Sequence, residues 1–135
     1  MTPENTKLLF ERHKHIFRGK DLSLRENLMP FGFECGDGWF TLIDELSTTI
    51  ERFLESQQDE ERTAECVRDF IVVQVKEKYG TLRFYTSPTP DVIHWIIDFA
   101  EGMSAKICES CGSPGETNEQ GWIRTLCQNC KKETS

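Results

Sequence analysis

The chain has 135 residues, a formal charge of −7, nine Phe, three Trp and six Cys. That aromatic content is core material for a folded chain, no run approaches the roughly 18 apolar residues needed to span a bilayer, and the acidic balance argues against general affinity for nucleic acid. With no apolar leader-like run between Met1 and Phe17, the sequence reads as cytoplasmic.

Thr2-Pro3-Glu4 has the form of a helix start, with a hydroxyl cap, proline at the first helical position and an acid at the positive helix end. A helix is predicted to about Phe17, ended by Gly19. Residues 20–38 are punctuated by Pro30, Gly32, Gly36 and Gly38 and read as an ordered loop that Phe31 and Phe33 anchor to the core. Trp39, Ile43, Leu46, Ile50 and Phe53 then recur at helical spacing, which predicts an amphipathic helix to about Glu55 with Asp37 as its cap. The polar stretch 56–62 reads as a solvated connection, the most tolerant place for an insertion.

Residues 70–85 read as a β-hairpin, because Ile71, Val72, Val73 and Val75 are β-branched and Gly80 interrupts two extended runs. An even-numbered turn places Val73, Val75, Leu82 and Phe84 on one face and Gln74, Lys76, Arg83 and Tyr85 on the other. Thr89-Pro90-Asp91 opens a third helix whose apolar residues, from Val92 to Met103, surround much of its circumference; it is expected to be the central core helix. A strand over 122–126 leads to the last cysteines. The predicted architecture is α+β, with three helices and a β-hairpin in a domain over 1–107 and a four-cysteine zinc ribbon with its tail over 108–135, packed on the first.

The ribbon follows from two CxxC knuckles, Cys108/Cys111 and Cys127/Cys130, separated by fifteen residues. This spacing lets four thiolates surround one zinc ion, and an all-cysteine set leaves no open position for chemistry at the metal. One structural Zn²⁺ is the implied cofactor, and four thiolates with one dication take the net charge to about −9. A redox role for either CxxC is the alternative. Trp122 is expected to close the seam between ribbon and main domain, with exposure for a partner as the other reading. Cys35 and Cys66 read as small buried hydrophobes, with a disulfide between them as the other reading.

The predicted non-core face of the hairpin carries Lys76 and Arg83, with Lys78 near the turn. Like charges at neighbouring sheet positions are destabilising unless acids or a bound anion compensate. Salt bridging to surplus carboxylates would satisfy them. The functional reading is an anion pocket in which Arg83 clamps, Lys76 and Lys78 act as point charges and Tyr85 stacks or donates, with Trp39 and Arg124 nearby. Catalytic signals are weaker. Gln74-Val75-Lys76 matches half of a metal-dependent nuclease site without the acids it needs, and His13, His15 and His94 lack any metal-binding or nucleophile context. The ribbon as a DNA reader is opposed by Glu109, Glu116 and Glu119 around Arg124.

GDGWF at 36–40, VQVKEKYGTLRFY at 73–85, and CESCG with GWIRTLCQNC between Cys108 and Cys130 resemble an uncharacterised family of short proteins frequent in bacteriophages and prophages. The likeness covers the chain from Gly36 onward and carries no catalytic residue with it. It implies a small accessory protein acting in an infected cell, in a counter-defence or regulatory setting. The expectation is a non-enzymatic protein that binds a host protein or a small, nucleotide-like anion. A metal-dependent nuclease and a DNA-binding regulator are the alternatives.

Overall fold

The Thr2 hydroxyl accepts the Asn5 N–H at 3.3 Å, and Pro3 follows where a missing N–H costs nothing. In the computed structural model, which describes residues 1–59 and 63–134, the resulting helix α1 spans Pro3–Arg12. It stops short of the expected Phe17. His13 leaves helical geometry and its ring meets two acids of the next long helix, Asp44 Oδ1 at 2.7 Å and a Glu51 carboxylate oxygen, while Arg12 holds the other Asp44 oxygen at 2.9 Å. The chain released by this early stop buries Ile16 and Phe17 completely.

A short turn of 3₁₀ helix at Arg18–Asp21 and another at Met29–Phe31 carry the chain to β1 (Phe33–Glu34). The intervening loop is organised by buried Asn27, which donates to Gly19 O at 2.9 Å and accepts from Met29 N at 2.8 Å. Only one of the two expected anchors is used: Phe33 is buried and Phe31 is exposed. A 3₁₀ turn at Asp37–Trp39 leads into α2 (Phe40–Ser56), whose Ile43, Leu46, Ile50 and Leu54 form the buried stripe, with Phe53 packed partly against it. Asp37 does not cap α2. Its Oδ1 instead accepts Thr2 N at 2.8 Å and Asn5 Nδ2 at 3.1 Å, tying the start of α1 to the turn. The expected connection over 56–62 lies partly outside the described residues.

After a one-turn helix α3 (Glu65–Arg68), β2 (Val72–Lys78) and β3 (Thr81–Thr86) pair antiparallel around a two-residue turn, with Lys78 opposite Thr81. Tyr79 (φ 53°) and Gly80 (φ 79°) both have positive φ, the signature of the turn type that matches strand twist. Val75 faces Phe84 and Lys76 faces Arg83, as the even-parity register requires. A bulge intervenes at Val73, so Val72 enters the core in its place and Val73 is half-buried. β1 adds to β2 in parallel, giving the order β1-β2-β3 with Phe33 beside Val75 and Glu34 beside Lys76.

The free edge of β3 is closed by helix α4 (Asp91–Ser104): Ser104 Oγ accepts Leu82 N at 2.8 Å and Glu101 Oε2 accepts Phe84 N at 3.0 Å. Ile93, Ile97 and Ala100 enter the core, but Val92, Trp95 and Phe99 are exposed, so α4 is a half-covered flank and not the central helix its composition implied. The ribbon adds β4 (Glu116–Thr117), β5 (Thr125–Leu126) and α5 (Gln128–Glu133). The strand expected over 122–126 is therefore confined to its last two residues. Among the described residues, three long α-helices and two short ones join the sheets in a mixed α+β fold.

The ribbon seats on the tip of the hairpin and on the turn before α2. Thr125 Oγ1 donates to Gly80 O at 2.6 Å, Gly38 N donates to Glu109 O at 3.0 Å and the buried Trp39 indole donates to Ile107 O at 2.9 Å. The approach is closest at Gly38, where a Cβ would stand 2.0 Å from Cys108 O. Thr125 and Glu109 close this seam. Trp122, expected to do so, is 83% exposed.

Candidate metal centre and sheet-face site

The first knuckle is set by Gly112, whose φ of 85° lets its N–H return to Cys108 O at 2.9 Å. The second forms because Cys127 caps α5, its sulfur accepting Cys130 N at 3.4 Å. Together they bring the sulfurs of Cys108, Cys111, Cys127 and Cys130 within 4.8 Å of one another, with Cys111 and Cys127 at 3.6 Å. Four sulfurs at about 2.3 Å from a tetrahedral ion stand about 3.8 Å apart, so the residues fit a single metal. Hydrogen bonds from Ser113 hold the Cys111 thiol down at about 6, while bonds to Cys127 and Cys111 push Cys130 up to about 12. The sulfurs share protons unequally, and a bound cation would displace those that remain.

Glu109, beside the first ligand, fastens the cluster to the rest of the ribbon. Its Oε1 accepts Arg124 Nε at 2.7 Å and its Oε2 accepts Thr125 N at 3.3 Å. Arg124 is thereby committed to the ribbon and is not part of a basic hairpin site. Cys35 is buried with its thiol pushed up to about 12 by desolvation, and Cys66 is half-buried; both are free thiols.

The outer sheet face gathers Glu34, Gln74, Lys76, Arg83 and Tyr85 by register. Lys76 and Arg83 are directly opposite, and among the described residues neither makes an ion pair. The Arg83 Nε–H is buried and has no hydrogen-bond partner among the described residues. Glu101 lies close enough for Arg83 to favour its charged form, yet burial dominates and raises the Glu101 carboxyl above its ordinary value. Beside this pair, a groove of about 510 Å³ is lined by Arg25, Lys76 and Tyr85 with one acid, Glu26, and by Leu24 and Gln74, among others. Arg25 was not legible in sequence. It reaches the groove because its loop is tied to the sheet by the Leu28 N to Val73 O bond of 2.7 Å.

The six residues named for the anion site thus divide. Lys76, Arg83 and Tyr85 share the face. Lys78 continues it to the tip, where its ammonium lies over the Tyr79 ring at 5.6 Å from the centroid. Trp39 is wholly buried, and its place at the head of the helically spaced apolar series that runs on into α2 was the signal for a core role. Of the acids weighed for a nuclease site, Asp69 ends α3 before the strand begins and Glu77 pairs with Leu82 on the core face, while Glu34 stands beside Lys76 and Glu26 lines the groove next to it. Among the described residues the four cysteines are the one cluster able to hold a metal. A larger groove, about 970 Å³ between ribbon and sheet rim, is lined by Glu34, Glu77, Glu109 and Glu116 against Arg124 and Lys131, a charge balance unsuited to an anion.

Comparison with protein-family models, curated proteins and solved structures gives no match. No helix among the described residues is long and apolar enough to cross a membrane.

Proposed function

We propose that the chain is a non-enzymatic binding protein, a phage-type accessory protein, that takes an anionic group on the outer face of its three-stranded sheet. The metal is zinc, in a structural role. The group is a phosphate of a small nucleotide-like ligand or a carboxylate of an acidic host-protein segment, held by Arg83 and Lys76 with Arg25 and Tyr85 at the groove. The observation that carries this reading is the buried, unpartnered Arg83 Nε–H directly across the ladder from Lys76. Leaving such a donor unsatisfied costs about 1–3 kcal/mol, which an anion would recover once the guanidinium turns outward to meet it, while relieving the repulsion between the two cations.

Calorimetric titration of the zinc-loaded protein with pyrophosphate, a nucleoside triphosphate and polyglutamate tests it. At least one should bind, and Arg83→Glu or Lys76→Glu should weaken it about tenfold or more at unchanged zinc content and melting temperature. The reading is overturned if none binds, if both reversals leave binding unchanged, or if the protein turns over the nucleotide or cleaves DNA with added divalent metal.

A further inference from the structure

Helix α4 carries a surface that the fold does not use. Val92, Trp95 and Phe99 are 38%, 66% and 72% exposed, and their spacing places them along one stripe of the helix. Half-buried Ile96 and Met103 border the stripe. The three exposed side chains present on the order of 350 Å² of mostly apolar surface, a large patch for a chain of this size. The helix does not need them for its own attachment, since Ile93, Ile97 and Ala100 enter the core and Glu101 and Ser104 hold β3.

Two further features indicate what covers it. Between Asp91 and Ser104 the charged residues are Asp91, Asp98 and Glu101, with no Lys or Arg, and exposed Asp91 and Asp98 lie on the turns flanking Trp95 without an ion pair among the described residues. Gly102 lies two turns on from Trp95, exposed, and a Cβ there would meet nothing within 4 Å. A glycine within a helix costs up to about 1 kcal/mol relative to alanine, less in a last turn such as this one, and nothing among the described residues requires it. A bare backbone beside an aromatic stripe suits close approach by another chain.

We infer that α4 is the docking surface for a basic amphipathic helix of a partner protein, with apolar anchors set on Trp95 and Phe99 and Lys or Arg side chains opposite Asp91 and Asp98. A second copy of this chain fits less well. Pairing two α4 helices would bring Asp91 and Asp98 against acids with no Lys or Arg on either helix to offset them. This surface shares no residue with the proposed anion site.

The test uses the zinc-loaded chain and two model peptides with the same helical leucine pattern, one carrying lysines and the other glutamates at the polar positions. Calorimetric titration should show binding of the lysine peptide only. Trp95→Ser/Phe99→Ser should weaken it about tenfold or more, and Asp91→Lys/Asp98→Lys, which keeps the apolar stripe, about fivefold or more. Thermal melts of both variants control for folding. Equal binding of the glutamate peptide, no binding of the lysine peptide, or binding unchanged in either variant overturns the inference. So does a concentration-dependent dimer in sedimentation that the Trp95/Phe99 variant abolishes.

Discussion

Arg83 and Glu101 show how one buried position sets the behaviour of its neighbours. Burial raises the Glu101 carboxyl above its ordinary 4.5, opposed by the Phe84 N–H it accepts and by the charge of Arg83. A carboxyl raised on folding makes the folded state bind more protons than the unfolded one, so stability falls as pH rises between the two values. Wild type should therefore gain stability on Glu101→Gln as pH is lowered from 7 through the folded value towards 4.5, and no further below it. Paired thermal melts across that range check this; a gap between the two proteins that does not change with pH would contradict it. Residue roles of this kind were partly legible. Parity alone separated Lys76, Arg83 and Tyr85 from Val75, Leu82 and Phe84, because strand periodicity has only two phases. Partner choice was not legible: Asp37 serves Thr2 and Asn5, and Arg124 serves Glu109, through folding that no local pattern encodes.

At the scale of elements, the hairpin and the three long helices could be read from period and capping residues, whereas β1 could not. It is two residues long and pairs with β2 at a separation of 42 residues (Phe33 to Val75), so its strand character comes from Val75 and Lys76 and not from its own sequence. Helix α4 misled for another reason. Composition counts apolar residues without saying which of them the neighbouring elements cover, and here Trp95 and Phe99 remain outside. Two glycines give opposite predictions. Gly38→Ala puts a Cβ 2.0 Å from Cys108 O, a clash with backbone that can be relieved only by unseating the ribbon. It should destabilise by about 3 kcal/mol or more in denaturant unfolding. Gly102→Ala fills open space in the last turn of α4 and should stabilise by about 0.5 kcal/mol. Equal effects of the two substitutions would contradict the assigned seam.

For the whole molecule, the metal cluster closes a chain of contacts that runs from Glu109 and Thr125 to the hairpin tip at Gly80 and the turn at Gly38. The ribbon has few apolar residues of its own, so its order should depend on the ion, whose binding supplies on the order of 10 kcal/mol to small zinc folds. One zinc per chain is expected by elemental analysis. Chelation or Cys127→Ser should remove it and expose the Trp39 indole that donates to Ile107 O, seen as a red shift in tryptophan emission. A metal-free protein with unchanged emission and melting temperature would refute the clamp. The four ligands were legible because CxxC spacing is local, while the seam they hold was not, since Thr125, Gly80 and Gly38 meet only in the fold. The central claim, that the sheet face around Arg83 and Lys76 takes an anionic group, is tested most directly by nuclear magnetic resonance of the isotope-labelled, zinc-loaded protein. Titration with pyrophosphate, and separately with polyglutamate, should with at least one of them shift the Arg83 Nε–H and the amides of Gln74, Lys76 and Tyr85, and Arg83→Glu should abolish the shifts. Spectra unchanged by both, or shifts confined to the ribbon or α4, would contradict it.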